Sequence, residues 1–261
     1  MESLIQSLVV GQVYGFMMVF VRVGTAMMIM PGIGDGFVPQ NVRLLFALAF
    51  SAVLTPVLGP YLPQVTEHNF AFIELLAGEF IMGAFIGGIA RCMMAALDTA
   101  GMFISMHMGL ANAQIFNPMM ATQGSIMGAF MSVTGALLLF STDLHHMLLE
   151  ALMDSYRTFP PGHITLNVAG DMADTYANAV SQAFAIGFHF GMPFMLVTMM
   201  VYVAMGILSR LMPQLQVFML FMPVQIMAGL LIFTLVVSAG MVYWMDSYQN
   251  AINLFLMPGD K

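Results

Sequence analysis

Gly32-Ile33-Gly34-Asp35 matches the Gly-x-Gly-Asp string of intramembrane aspartyl proteases. That chemistry needs two carboxylates sharing one proton, with the second aspartate in a Tyr-Asp pair on another span. No Tyr-Asp dipeptide occurs in the chain, and Asp35 stands between glycines, where it reads as a turn residue. Asp143, His146, Glu150 and Asp154 fall at i, i+3, i+7 and i+11, on one face of a helix, so a metal site is geometrically conceivable. The alternative is that Asp143 caps a helix whose polar face is wet or meets a partner. Adjacent His145 and His146 point about 100° apart on a helix and are not expected to chelate together. His107, His163 and His189 have no ligand-spaced companions, and His68 has only Glu67 beside it. With no zinc-protease helix motif, phosphate-cradling loop or serine elbow, neither an enzyme nor a metal or other cofactor is expected.

Two further groups are better placed for transport than for catalysis. Glu74, Glu79, Arg91 and Asp98 lie in one otherwise apolar segment, and ionisable groups inside such segments face a protein partner or a wet cavity. They read either as a proton relay or as charges that cancel by inter-subunit or intra-chain pairing. Met106, Met108, Met119 and Met120 flank a stretch carrying Gly109, Asn112, Gln114, Asn117 and Pro118. Backbone this irregular survives at membrane depth only where protein or water surrounds it. Methionine is flexible and polarisable, so such a ring could close on itself around a variable cargo. Methionine could equally be replacing leucine throughout, since the chain has 31.

The elements that must carry these groups follow from composition. Of 261 residues, 60% are apolar and 7% charged, with mean hydropathy +0.90; soluble domains are about 25% charged. A net charge of −7 leaves no basic stripe for nucleic acid, and one cysteine, Cys92, excludes an intrachain disulfide. Stretches without Asp, Glu, Lys or Arg cover 3–21, 44–66, 99–142, 175–209 and 211–245, each long enough for at least one helix of about 20 residues. The acidic Met1-Glu2 start does not read as a cleavable signal. Helices are expected over about 4–30, 42–57 and 70–97, a further apolar segment over 100–116, and a helical run over 126–156 interrupted at Ser141-Thr142-Asp143. A polar linker is expected over 157–174, then a hairpin of helices over about 176–208 and 217–245. Its tip, Ser209 to Gln214, carries Arg210, which the positive-inside rule places in the cytoplasm. Glycines four apart at Gly11/Gly15, Gly83/Gly87, Gly124/Gly128 and Gly187/Gly191 fit close helix contacts.

Five segments, in order, resemble a known family. They are Arg22…Pro31-Gly32-Ile33-Gly34…Val38-Pro39-x-x-Val42-Arg43; Gly78-Glu79-x-x-x-Gly83-x-x-x-Gly87; Ala100-Gly101…His107-Met108-Gly109 with Asn117-Pro118; Asp143-Leu144-His145-His146-x-Leu148-Leu149 leading to Asp154-Ser155-Tyr156-x-x-x-Pro160; and Arg210-x-x-Pro213-Gln214-Leu215-x-Val217-Phe218, continuing to Pro223 and Gly229-Leu230. On these the chain resembles the FliR family, the single-copy core subunit of the flagellar type III protein-export gate, whose injectisome homologue is SctT. It departs from the family's usual residues at His107 (Gln), Asn117 (Asp) and Gln216 (Asn), and near Phe221 (glycine) and Gln225 (lysine).

The resemblance implies an all-α, polytopic membrane-type protein. A FliP-like part over 1–156 would be joined through 157–174 to a FliQ-like hairpin and tail over 175–261. It implies several FliP-type and several FliQ-type partners, a FlhB-type switch protein, and unfolded exported proteins as cargo. The expected location is the bacterial inner membrane at the flagellar basal body, with much of the helical mass above the bilayer. The family's plug loop maps to about 106–123, giving Met106, Met108, Gly109, Phe116, Asn117, Pro118, Met119 and Met120 the constriction. Glu74, Glu79, Arg91, Arg210, Pro213, Gln214 and Phe218 are expected at subunit contacts. The rival readings are an injectisome gate subunit and a stand-alone proton-coupled transporter using Glu74, Glu79 and Asp98.

Overall fold

The computed structural model describes residues 2–63, 69–110, 125–162, 166–212, 214 and 217–256. The described residues are helical, with no strand among them: α1 (Glu2–Ile29), α2 (Gln40–Leu58), a single tight turn (Gly59–Tyr61), α3 (Asn69–His107), α4 (Ile126–Ser141), α5 (Leu144–Thr158), α6 (Leu166–Leu211) and α7 (Val217–Leu256). Five stretches, Val10–Ile29, Gln40–Tyr61, Phe70–His107, Val168–Leu211 and Phe221–Phe255, are long and apolar enough to cross a membrane. α4 and α5 meet at a 74° bend and together pass the same test as a broken span. Pro56, Pro193 and Pro223 lie inside helices, as apolar helices with protein neighbours tolerate.

The expected helix ends near Leu97 and Tyr156 both shift. α3 runs unbroken through Asp98-Thr99-Ala100-Gly101 to His107, 39 residues in all. Its polar groups find partners: the Thr99 hydroxyl donates back to the Ala95 carbonyl (2.9 Å), and the Asp98 carboxylate accepts from the Ser132 hydroxyl. Of the polar stretch 157–174, the first two residues still belong to α5, and everything from Leu166 onward is α6. Local polarity gave way to helix continuity in both places.

The chain forms two compact units, one comprising 1–92, 139–180 and 250–261, the other 93–138 and 181–249. The first has a core rich in soft side chains, with Met18, Val19, Val23, Ala26, Met27, Met82 and Ile89 fully buried. Gly83 and Gly87 let α3 approach α1. A Cβ at Gly83 would lie 2.4 Å from the Arg22 carbonyl oxygen, and one at Gly87 would lie 2.8 Å from that of Ala26. Backbone approach of this kind is what small residues at i and i+4 permit.

The second unit is aromatic. The chain's single tryptophan, Trp244, is fully buried and donates its indole N–H to the Met93 carbonyl at 3.0 Å. Phe103 packs edge-on against Phe184 and Phe188, with centroids 6.1 and 6.0 Å away. Gly101 meets Gly128 so closely that a Cβ on Gly101 would sit 2.3 Å from the Gly128 Cα. Many large apolar side chains remain exposed, among them Val53, Leu196, Met199, Met200 and Leu235. Exposed apolar surface on this scale fits lipid or protein neighbours rather than water.

Candidate functional site

An arginine in the middle of an apolar helix needs an acid, and α3 supplies one. Arg22 on α1 and Glu79 on α3 are each 1% exposed. The guanidinium forms a fork on the carboxylate, Nε to Oε2 at 2.7 Å and Nη2 to Oε1 at 2.9 Å. Its Nη2 also donates to the Phe159 carbonyl (3.0 Å), and its Nη1 donates to Ser155 Oγ (3.1 Å). The Ser155 hydroxyl donates its own hydrogen bond to the Leu152 carbonyl at 2.6 Å. Below the guanidinium lies the Tyr156 ring, 4.0 Å from its carbon to the centroid. Planar, bidentate and stacked, this is a site for arginine and not for lysine.

The centre ties three helices of the first unit at one point: α1 through Arg22, α3 through Glu79, and the end of α5 through Ser155, Tyr156 and Phe159. Both Glu79 oxygens accept from Arg22, so the carboxylate is held in a fixed, bidentate pair. Sequence reasoning singled out Glu79 and quoted Arg22, Ser155 and Tyr156 without joining them. One signal was available: a lone base on one apolar helix and an acid beside a glycine stripe on another.

A second ion pair locks the turn after α1. Asp35 accepts the Gly32 amide on Oδ2 (2.8 Å) and the Arg91 guanidinium on Oδ1. Gly32 has φ 85, a left-handed conformation that suits glycine. Arg43 closes the other side by donating to the Gly34 and Val38 carbonyls, both at 2.9 Å. Asp35 is therefore a turn residue, as its flanking glycines imply. Arg91 pairs with Asp35 through Nη1 and keeps about half of its side chain exposed.

The third feature is the C-terminal end of α3, in the second unit. The His107 carbonyl, at the C-terminal end of α3, accepts from Thr198 Oγ1 on α6 and Gln225 Nε2 on α7, both at 2.8 Å. Met108 is buried against Gly229, where a Cβ would come within 2.4 Å of its Cγ. Gly109 follows with φ 78, and Met106 is 63% exposed. Of the expected constriction, Phe116, Asn117, Pro118, Met119 and Met120 lie outside the described residues, as does Pro213 of the hairpin tip. Glu74, Arg210 and Gln214 are exposed, and Phe218 lies in α7 with its side chain outside the description.

Comparison with known proteins finds similar chains. The chain is 33% identical over 245 residues to the flagellar biosynthetic protein FliR of Caulobacter vibrioides, covering 94% of this chain and 96% of that one. It is 29% identical to the FliR of Bacillus subtilis over 214 residues, 81% of each chain. It is also 28% identical to the Yop proteins translocation protein T of Yersinia pestis over 199 residues, covering 76% and 73%. The family model described as "Bacterial export proteins, family 1" matches residues 13–251. With most of its length inside that match, the chain belongs to family 1 of the bacterial export proteins.

Proposed function

We propose that the chain is a core subunit of the flagellar type III export gate, helping to form and close the pore through which unfolded flagellar proteins leave the cell. The observation that carries this reading is the match to flagellar relatives over 94% of the chain. The injectisome reading rests on the Yersinia relative, which is less similar and covers less of the chain. In the gate, 1–156 acts as a FliP-like part and 175–261 as a FliQ-like hairpin. Several FliP-type and FliQ-type subunits surround it, a FlhB-type protein docks on the assembly, and the whole sits at the basal body in the inner membrane. The exposed apolar faces of α6 and α7 support burial against such neighbours. Glu74, Arg91, Arg210, Pro213, Gln214 and Phe218 serve as subunit contacts, while Glu79, expected among them, is buried in its pair with Arg22.

Native mass spectrometry of the tagged protein, co-expressed with its genomic neighbours in mild detergent, tests this. The expected result is one copy within a large complex of several small multi-helix partners. A monomer or homo-oligomer without partners overturns the reading.

Residues 106–123 serve as the plug, with Met106, Met108, Phe116, Met119 and Met120 sealing and the α3 end at His107 as its root. Deleting 110–120 is expected to make cells leak small solutes, measured as uptake of an otherwise excluded dye. Unchanged permeability with normal export overturns the plug assignment.

A further inference from the structure

The bend between α4 and α5 gathers three side chains able to ligate a metal ion. Asp143, His145 and His146 each offer one ligand atom, and these atoms lie within 4.8 Å of one another. Asp143 does not act as the expected helix cap. It sits at φ 59, ψ 15 and makes no side-chain bond to the start of α5. Its carboxylate instead lies 3.7 Å from His146 Nδ1. The two imidazole rings, expected to diverge, stand 4.1 Å apart between centroids. Adjacent Cβ atoms do point about 100° apart on a helix, yet these two rings lie against one another, tilted by 39°.

His145 is also held from behind. Its Nδ1 faces the Leu139 carbonyl at 3.4 Å, and its ring packs on Phe140 at 5.2 Å. A proton on Nδ1, directed at that carbonyl, leaves the Nε2 lone pair for a cation. Metal-ligating histidines are oriented by such outer partners.

We propose that Asp143, His145 and His146 form a binding site for a divalent transition-metal ion of the zinc class. Two imidazoles and one carboxylate suit Zn2+ and disfavour Mg2+ and Ca2+. Three protein ligands leave the fourth tetrahedral position to water or to a group from outside the chain. Because Leu139 and Phe140 on α4 support His145 on α5, the ion also stiffens the 74° bend.

The test uses the full chain in detergent with a histidine-free tag. Calorimetric titration with Zn2+ is expected to show one ion bound per chain, with no comparable heat from Mg2+. Co2+ in place of Zn2+ is expected to give the intense visible absorption of a four-coordinate ion. His146→Ala is expected to weaken Zn2+ binding by about 100-fold or more, beyond the 10–100-fold that loss of an outer partner costs, and Asp143→Asn to weaken it as well. Both side chains are largely exposed, 65% and 77%, so the metal-free unfolding midpoint stays unchanged. His189→Ala, outside the cluster, keeps wild-type affinity. Absence of saturable Zn2+ binding, or binding that survives His146→Ala, overturns the proposal.

Discussion

Replacing Glu79 with leucine is expected to destabilise the protein by about 3–5 kcal/mol, the usual cost of leaving one member of a buried ion pair alone. Arg22, 1% exposed, would keep its charge with only a serine hydroxyl, a carbonyl and a ring for company. Arg22→Met is expected to be equally severe, because it strands the carboxylate. The double variant Arg22→Met with Glu79→Leu removes both charges and should recover most of the loss, since apolar replacement of a whole buried pair is often neutral or stabilising. Thermal unfolding in detergent, read by the loss of helical circular dichroism, measures all three. A coupling energy above about 2 kcal/mol between the two sites is expected from contact geometry this close. If Glu79→Leu leaves stability unchanged while transport stops, the carboxylate serves a proton relay and the structural role fails.

Helix interiors were legible in the sequence because most are long, predominantly apolar runs, and the turn at Pro31 to Gly36 because glycine and proline cluster there. The Arg22–Glu79 pair was not. Its members are 57 positions apart, and their meeting depends on how α1 crosses α3, which no local periodicity encodes. The run of α3 through Asp98 and Gly101 was hidden for the opposite reason. Both residues read locally as helix-ending, and partners distant in sequence overrule them: the Ser132 hydroxyl on Asp98 and the Gly128 backbone against Gly101. At the α4–α5 bend, spacing placed Asp143 and His146 on one face. It could not show that Asp143 takes a left-handed conformation, nor that the His145 ring swings toward His146. The constriction was chosen from methionine content and family likeness. Of it, Met106, Met108 and Gly109 lie in described structure, where Met108 proves to be packed and Met106 open.

Substituting Gly101 separates backbone contact from mere small-residue preference. A Cβ at Gly101 would lie 2.3 Å from both the Cα and the N of Gly128. These are backbone atoms with no rotamer to yield, so α3 and α4 must move apart. The Ser125 hydroxyl bond to the Gly101 carbonyl, 3.0 Å long, would stretch with them. Gly101→Ala is therefore expected to cost about 3 kcal/mol, the upper end of the overpacking range, despite the helix-propensity gain of about 1 kcal/mol that alanine brings. Gly128→Ala makes the control. Its Cβ would meet nothing closer than 3.3 Å, the Asp98 carbonyl oxygen and the Ser125 Cβ. A few tenths of an ångström of adjustment suffices there, and the propensity gain offsets it, so the change should stay within about 1 kcal/mol of neutral. Trp244 lies in the same compact unit, so its fluorescence reports both variants directly. Equal effects at the two glycines would mean that the α3–α4 contact is looser than this geometry, whereas a large loss at Gly101 alone identifies the point where the two backbones touch.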